Sequence, residues 1–237
     1  SVEHVSQVAA EEFLRLSTDG AKRAGVFRVA LSGGSTPKKL YSKLANESKY
    51  SQLIPWSSIH FFWGDERTVP PDHPDSNYRM AWESMLKQVP VNESQIHRIK
   101  AEEPDFDLAA AKYETEIRNQ LYVAAPAVPE FDLILLGMGP DAHTASLFPG
   151  TKALHEQKRL VVENYVEKLN THRISITFPL INRAKCVIFL LCGKDKAEAL
   201  KAVLEGPENP ELYPAQLVRP EGRLLWLIDH AAGELLA

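Results

Sequence analysis

With 237 residues, 44% of them apolar and 24% charged, the chain can bury a full core and carries the charge of an ordinary soluble protein. Its 27 basic and 31 acidic residues leave a net charge of −4, which argues against a dedicated nucleic-acid binder but leaves room for a local basic pocket. No apolar run approaches the ~20 residues that span a bilayer. No basic segment followed by an apolar core opens the sequence, so no secretory signal is expected.

Val5, Val8, Ala9, Phe13 and Leu16 recur at helical spacing and predict an amphipathic helix ending between Gly20 and Gly25. Residues 27–31 read as a short buried strand, followed by Ser32-Gly33-Gly34-Ser35-Thr36-Pro37, with Pro37 placed to open a helix. Glycines let backbone N–H groups approach a phosphate, and a helix N-terminus favours negative charge. Gly33, Gly34, Ser35 and Thr36 are therefore candidate phosphate ligands. Their spacing fits neither the dinucleotide fingerprint nor the Walker A loop. A tight turn without a ligand explains the same residues equally well.

The next strand, 59–63, runs into Gly64-Asp65-Glu66-Arg67. These charges read either as a solvated loop or as a carboxylate and a guanidinium facing a cleft. In the second case Arg67 clamps a phosphate or carboxylate through two N–H groups. A proline-rich loop over 69–74 leads to a helix capped by Asp75 or Ser76 and running to Leu86. A further helix is predicted over 107–122, with 124–129 linking it to the apolar run 133–136. That run ends in Gly137-Met138-Gly139-Pro140-Asp141-Ala142-His143-Thr144. A buried strand thus closes on a glycine-bearing turn that presents Asp141 and His143, the composition of a proton-transfer pair. An imidazole with an unperturbed pKa of about 6.5 suits a general base near neutral pH.

Strands are predicted over 160–166 and 173–178, the second starting at Arg173. The run 186–191 precedes Gly193-Lys194-Asp195-Lys196 and a helix to Leu204. Lys196 falls in the first turn of that helix, where the macrodipole disfavours a cation unless an anion is bound. An exposed lysine is the alternative reading. A strand over 224–228 and a short helix from Asp229 complete the chain. Cys186 and Cys192 fall on one strand, about 20 Å apart. That is too far for a disulfide, and reduced cysteines fit a cytoplasmic protein.

Strands alternate with helices for most of the length. The expectation is an α/β chain folded as a single domain over 1–237. Its sheet is largely parallel, doubly wound and Rossmann-like, with helices on both faces. Ligands of such sheets bind beyond the carboxyl ends of the strands. Ser32–Thr36, Asp65–Arg67, Asp141–His143 and Lys194–Lys196 all fall at strand ends, and one cleft can hold them together. No Gly-x-Ser-x-Gly elbow is present. Neither is a His-Glu-x-x-His nor a paired Cys-x-x-Cys pattern. Water activation by histidine is therefore easier to support than a covalent or metal route, and no metal site is expected.

Leu31 to Pro37, Trp63 to Arg67, Asp75 to Tyr78 and Phe131 to Pro149 together resemble the 6-phosphogluconolactonase family, as do Arg173 to Thr177, Gly193 to Ala197 and Leu225 to Asp229. The segments run in the family's order and span nearly the whole chain. The resemblance implies hydrolysis of 6-phosphoglucono-δ-lactone to 6-phosphogluconate, the second step of the oxidative pentose phosphate pathway, in the cytosol and without a cofactor. It implies a sugar-phosphate lactone as partner, with no nucleic acid and no membrane, in a monomer or small homo-oligomer. On this reading the phosphate lies on Gly33–Thr36 with Lys196 and Arg173. His143 takes a proton from water, Asp141 or Asp65 orients the imidazole, and Arg67 or backbone N–H groups meet the oxyanion. Which of Arg67 and Arg173 faces the phosphate stays open.

One departure stands out: Ala142 occupies a position where the family usually has glycine. If φ is positive there, alanine is strained by about 1 kcal/mol or more. Glucosamine-6-phosphate deaminases look similar around Asp65, Asp141 and His143 but carry a glutamate five residues after the histidine. Phe148 stands at that position here and favours the lactonase. The alternative outside enzymes is a sugar-phosphate sensor. Such regulators normally carry an N-terminal helix-turn-helix, and the segment before the first strand has room for about one helix.

Overall fold

The computed structural model describes all 237 residues, and the apolar runs and amphipathic segments fold in the following order. Helix α1 (Val2–Ala24) leads into β1 (Phe27–Leu31), α2 (Ser35–Asn46), the single turn α3 (Ser48–Ser51), β2 (Ile59–Trp63), β3 (Asp65–Arg67) and α4 (Asn77–Ser84). Then come α5 (Phe106–Leu121), β4 (Leu133–Leu136), β5 (Val161–Val166), β6 (Thr171–Ile176), α6 (Phe178–Asn182), β7 (Cys186–Leu191), α7 (Ala197–Leu204) and β8 (Arg223–Ile228).

Five strands pair in parallel in the order β2-β1-β4-β7-β8. The chain steps from β1 to β2 on one side, then returns to β4 on the other and continues outward. That reversal makes a topological switch point between β1 and β4, where a crevice opens beyond the strand ends. β4 and β7 are buried at every position. This is why they read as unbroken apolar runs rather than as alternation. Helices flank the sheet: α1 and α2 pack on each other and reach β1, β7 and β8. Tyr113 of α5 both accepts from Trp63 N at 2.8 Å and donates to Trp63 O at 3.0 Å, anchoring α5 to the end of β2.

The structure differs from the sequence reading in several places. Asp65–Arg67 is a strand, pairing antiparallel with β6, which pairs in turn with β5 to make a second sheet β3-β6-β5. Three charged residues have weak strand propensity, and their extended form comes from the distant partner. Lys196 precedes α7, after one 3₁₀ turn over Lys194–Lys196, rather than lying within its first turn. The helix after Ser76 ends at Ser84, and a 3₁₀ turn carries the chain past Leu86. No helix follows Asp229: residues 230–235 form turns, with the Asp229 carboxylate accepting from Gly193 N at 3.1 Å and Ala232 N at 2.9 Å. Cys186 opens β7, but Cys192 lies one residue past its end rather than on the strand, and both are free thiols. No helix is long and apolar enough to cross a membrane.

Candidate active site

At the switch point lies a cleft of about 460 Å³. All ten candidate residues line it: Gly33, Gly34, Ser35 and Thr36 after β1, Asp65 and Arg67 on β3, Asp141 and His143 after β4, Arg173 on β6 and Lys196 before α7. A larger surface cleft of about 640 Å³ between α4 and α5 contains none of them. Position at the switch point beyond the strand ends, not volume, marks the smaller one as the candidate site.

The turn after β1 is held rigidly. Ser32 N donates to Tyr41 Oη at 2.9 Å, and the same hydroxyl donates to Ser32 O at 2.8 Å. Gly34 sits at φ 104°, a conformation costly to any residue with a Cβ. At Gly33 a Cβ would come within 2.0 Å of Asn77 Oδ1. Helix α2 starts at Ser35, so its unsatisfied first N–H groups join this turn in facing the cleft.

On the second sheet, Glu66 is buried and accepts from the N–H groups of Arg67, Asn77 and Tyr78, each at 2.8 Å, and from Ser76 Oγ at 3.1 Å. Burial raises its pKa while those backbone donors oppose the rise. Its carboxyl group ties β3 to the start of α4, so the solvated-loop reading of Asp65–Arg67 is set aside. Asp65 is also buried. Its Oδ2 accepts from Ser146 Oγ at 2.7 Å and its Oδ1 from Asn77 Nδ2 at 3.2 Å. The β3–β6 register sets Arg67 directly opposite Arg173. Like charges so placed repel. Burial, and then Arg67, lower the pKa of Arg173. An anion between the two guanidinium groups would relieve that repulsion. The guanidinium of Arg67 also donates to Asp75 O at 2.6 Å.

The turn after β4 closes through Ala142 N donating to Gly139 O at 3.0 Å and Gly139 N to His143 O at 2.9 Å. A Cβ at Gly139 would lie 2.1 Å from His143 Nδ1, so only glycine fits under the imidazole. Ala142 does adopt a positive φ, 61°, and Ala145 another, 48°. Left-handed alanine costs about 1 kcal/mol or more. Ala142 is held there by full burial and by its carbonyl accepting from Ala215 N at 3.0 Å.

His143 Nδ1 lies 2.5 Å from Asp141 Oδ1, which assigns the proton to Nδ1 and leaves Nε2 as an acceptor with no protein partner. The imidazole stacks on Phe148, with 4.0 Å between centroids and 19° between planes. Its pKa is pushed down to about 4, mainly by burial; Asp65 opposes the shift, while Lys196, Arg173 and Arg67 add to it. The ring is therefore neutral at pH 7.

Some lining residues escaped the sequence reading. Asn77 and Ser146, which fix Asp65, sit inside motifs noted above but without any marker of that role. Phe148 was singled out as a replacement for glutamate, not as a stacking partner. Lys168, in the turn after β5, also reaches the cleft. A lysine in a polar turn carries no sequence signal.

Residues 1–226 match the family described as glucosamine-6-phosphate isomerases/6-phosphogluconolactonase. The chain belongs to this family. Within the glucosamine-6-phosphate isomerase/6-phosphogluconolactonase family, it is 46% identical over 219 residues to a protein from Synechocystis sp. named 6-phosphogluconolactonase, covering 92% of this chain and 88% of that one. A second protein of that name, from Nostoc sp., is 44% identical over 216 residues, covering 91% of this chain and 87% of its own. The solved structure of 6-phosphogluconolactonase from Trypanosoma cruzi matches with a TM-score of 0.87 at 29% identity, covering 100% of this chain and 94% of the other.

Proposed function

We propose that the chain hydrolyses 6-phosphoglucono-δ-lactone to 6-phosphogluconate in the oxidative pentose phosphate pathway, with His143 activating the attacking water. The observation that carries this reading is a neutral imidazole with Nδ1 committed to Asp141 and Nε2 open to a cleft walled by Arg67, Arg173 and Lys196. A family whose named members include 6-phosphogluconolactonases supports the same substrate.

In this mechanism the substrate phosphate lies on the Gly33–Thr36 turn and the start of α2, with Lys196 and Arg173 supplying charge. Nε2 takes a proton as water attacks the lactone carbonyl, and Asp141 stabilises the imidazolium through Nδ1–H. Arg67 or turn N–H groups meet the developing oxyanion. The tetrahedral intermediate then expels the ring oxygen, which receives the proton from Nε2, and the products are the open acid and the resting imidazole. Asp65 is fixed by Asn77 and Ser146 and acts on the ring through charge. Asp141 is the orienting aspartate.

A base with a pKa of about 4 is weak, and bound substrate opposes part of the shift. Lys196 and Arg173, two of the three cations that add to the lowering by burial, are the ones placed on the phosphate, so binding raises the basicity of Nε2. No cofactor takes part in this scheme. The test is proton release on adding freshly made lactone, measured above the spontaneous background. His143→Ala is expected to lower kcat by about 10²–10⁴-fold. An unchanged kcat in that variant would remove His143 as the base, and no acceleration by the native chain would remove the lactone as substrate.

A further inference from the structure

The mechanism above leaves one cation of the cleft without a part. Lys168 lies in the 3₁₀ turn Glu167–Leu169 between β5 and β6, closed by Asn170 at φ 46°. Tyr165 Oη donates to Asn170 Oδ1 at 2.6 Å and braces the turn from its β5 side. The lysine stem is half-exposed, but its ammonium group lies against Asp141 Oδ2. That oxygen is buried and receives no directed hydrogen bond, so the ammonium is its charge partner. The same ammonium is 4.8 Å from the ring centroid of Phe148, the ring on which His143 stacks. Lys168 therefore touches both groups that hold the imidazole in place.

A carboxylate gripped by one oxygen turns readily about its last torsion, which is broad and roughly two-fold. A cation on the second oxygen fixes the plane. None of Arg67, Arg173 and Lys196 forms an ion pair with Asp141, whereas Lys168 does. We propose that Lys168 is a positioning residue for the hydrolysis, holding Asp141 by Oδ2 so that Oδ1 stays on His143 Nδ1 and Nε2 stays turned to the cleft. The inference rests on the reading of His143 as the base. An ammonium engaged with Asp141 and Phe148 is less available to bind the substrate.

The test compares native protein, Lys168→Met and Lys168→Arg in the proton-release assay, alongside an NMR titration of the His143 ring in the substrate-free proteins. Other charged groups around that ring, Asp141, Asp65, Arg67, Arg173 and Lys196, are unchanged in both variants. Lys168→Met is expected to lower kcat about 10- to 100-fold, as small misplacements of a reacting group do. KM should stay within about twofold, because ground-state binding is not touched. The ring titration should move up by about 0.5–1 unit, because the Asp141 charge is then no longer shared. Lys168→Arg should restore most of kcat. A raised KM with native kcat would make Lys168 a substrate contact and overturn the proposal, as would an unmoved titration with native kcat. If the native protein fails to accelerate the lactone, the proposed function falls. The titration still decides the Lys168–Asp141–His143 link, which an upward shift supports and an unmoved ring overturns.

Discussion

The parallel sheet and the three-stranded sheet meet the cleft in different ways. The first offers turns: Ser32–Thr36 and Gly137–His143 follow β1 and β4, central strands packed between neighbours on both sides. Their positions are set by hydrogen bonds to the backbone, from Tyr41 Oη at the first turn and within the chain at the second, and by Gly33, Gly34 and Gly139, which no larger residue can replace without strain or clash. The second sheet offers side chains directly from its strands, with Asp65 and Arg67 on β3 facing Ser175 and Arg173 on β6. β5 and β6 keep several positions partly open, unlike the fully buried β4 and β7. The backbone-built half suits rigid placement, of a base on one turn and of an anion against the N–H groups of the other. The strand-built half suits a charged wall that adds to anion binding.

If that division holds, substitutions on the two halves separate kinetically. The largest expected effect after loss of His143 itself is at the turn: Asp141→Asn should lower kcat by about 10²–10⁴-fold with KM little changed, because the amide no longer enforces the Nδ1–H tautomer. Steady-state kinetics with both parameters resolved would show it, and a pure KM effect would break the comparison. On the second sheet, Arg173→Ala should instead raise KM about 10- to 100-fold through loss of a charge-assisted contact. Restoration of the native KM by high salt alone is not expected of a half-buried guanidinium.

A pH series sharpens the same contrast. The profile of kcat/KM reports the free protein and should fall on its acid side near the depressed His143 value, about 4. The profile of kcat reports the complex and should fall at higher pH, since bound phosphate cancels the cationic wall. Coincident acid limbs would mean that the two halves do not communicate by charge. Stability follows the same group. The folded pKa lies below the unfolded one, so the contribution is full above about 6.5 and is lost as pH drops toward the folded value. His60 and His97 are also lowered by burial and act in the same direction. Melting temperatures of native protein and His143→Ala across that window would isolate the share of His143, with a shallower decline in the variant.

The smallest effect is expected at Ala142. Ala142→Gly relieves left-handed strain but removes a buried methyl and loosens the unfolded chain, so stability should change by no more than about 1 kcal/mol. Urea midpoints would measure it. A large change in kcat there would mean that the strain itself sets the pose of His143.

The parallel core was legible because strands buried on both faces must be apolar throughout, and the runs at 133–136 and 186–191 are. The candidate residues were legible for a related reason: polar groups directly after such runs can only lie at the rim of the sheet. Neither argument reaches β3. Its three residues are charged, and the strand exists only because residues 173–175 arrive alongside it. That pairing also sets Arg67 and Arg173 opposite each other, and both line the cleft. Glu66 was unreadable because its burial is driven by the N–H groups of α4. Lys168 was unreadable because its partner, Asp141, lies on another loop. At Ala142 the left-handed backbone was anticipated from the residue it replaces, and the φ of 61° agrees.

The Asn77 carboxamide lies against Gly33 on one side and is bonded to Asp65 on the other, so it joins the turn after β1 to the second sheet. One flat group thus works as a spacer between the two halves of the cleft, and neither half can shift without moving it.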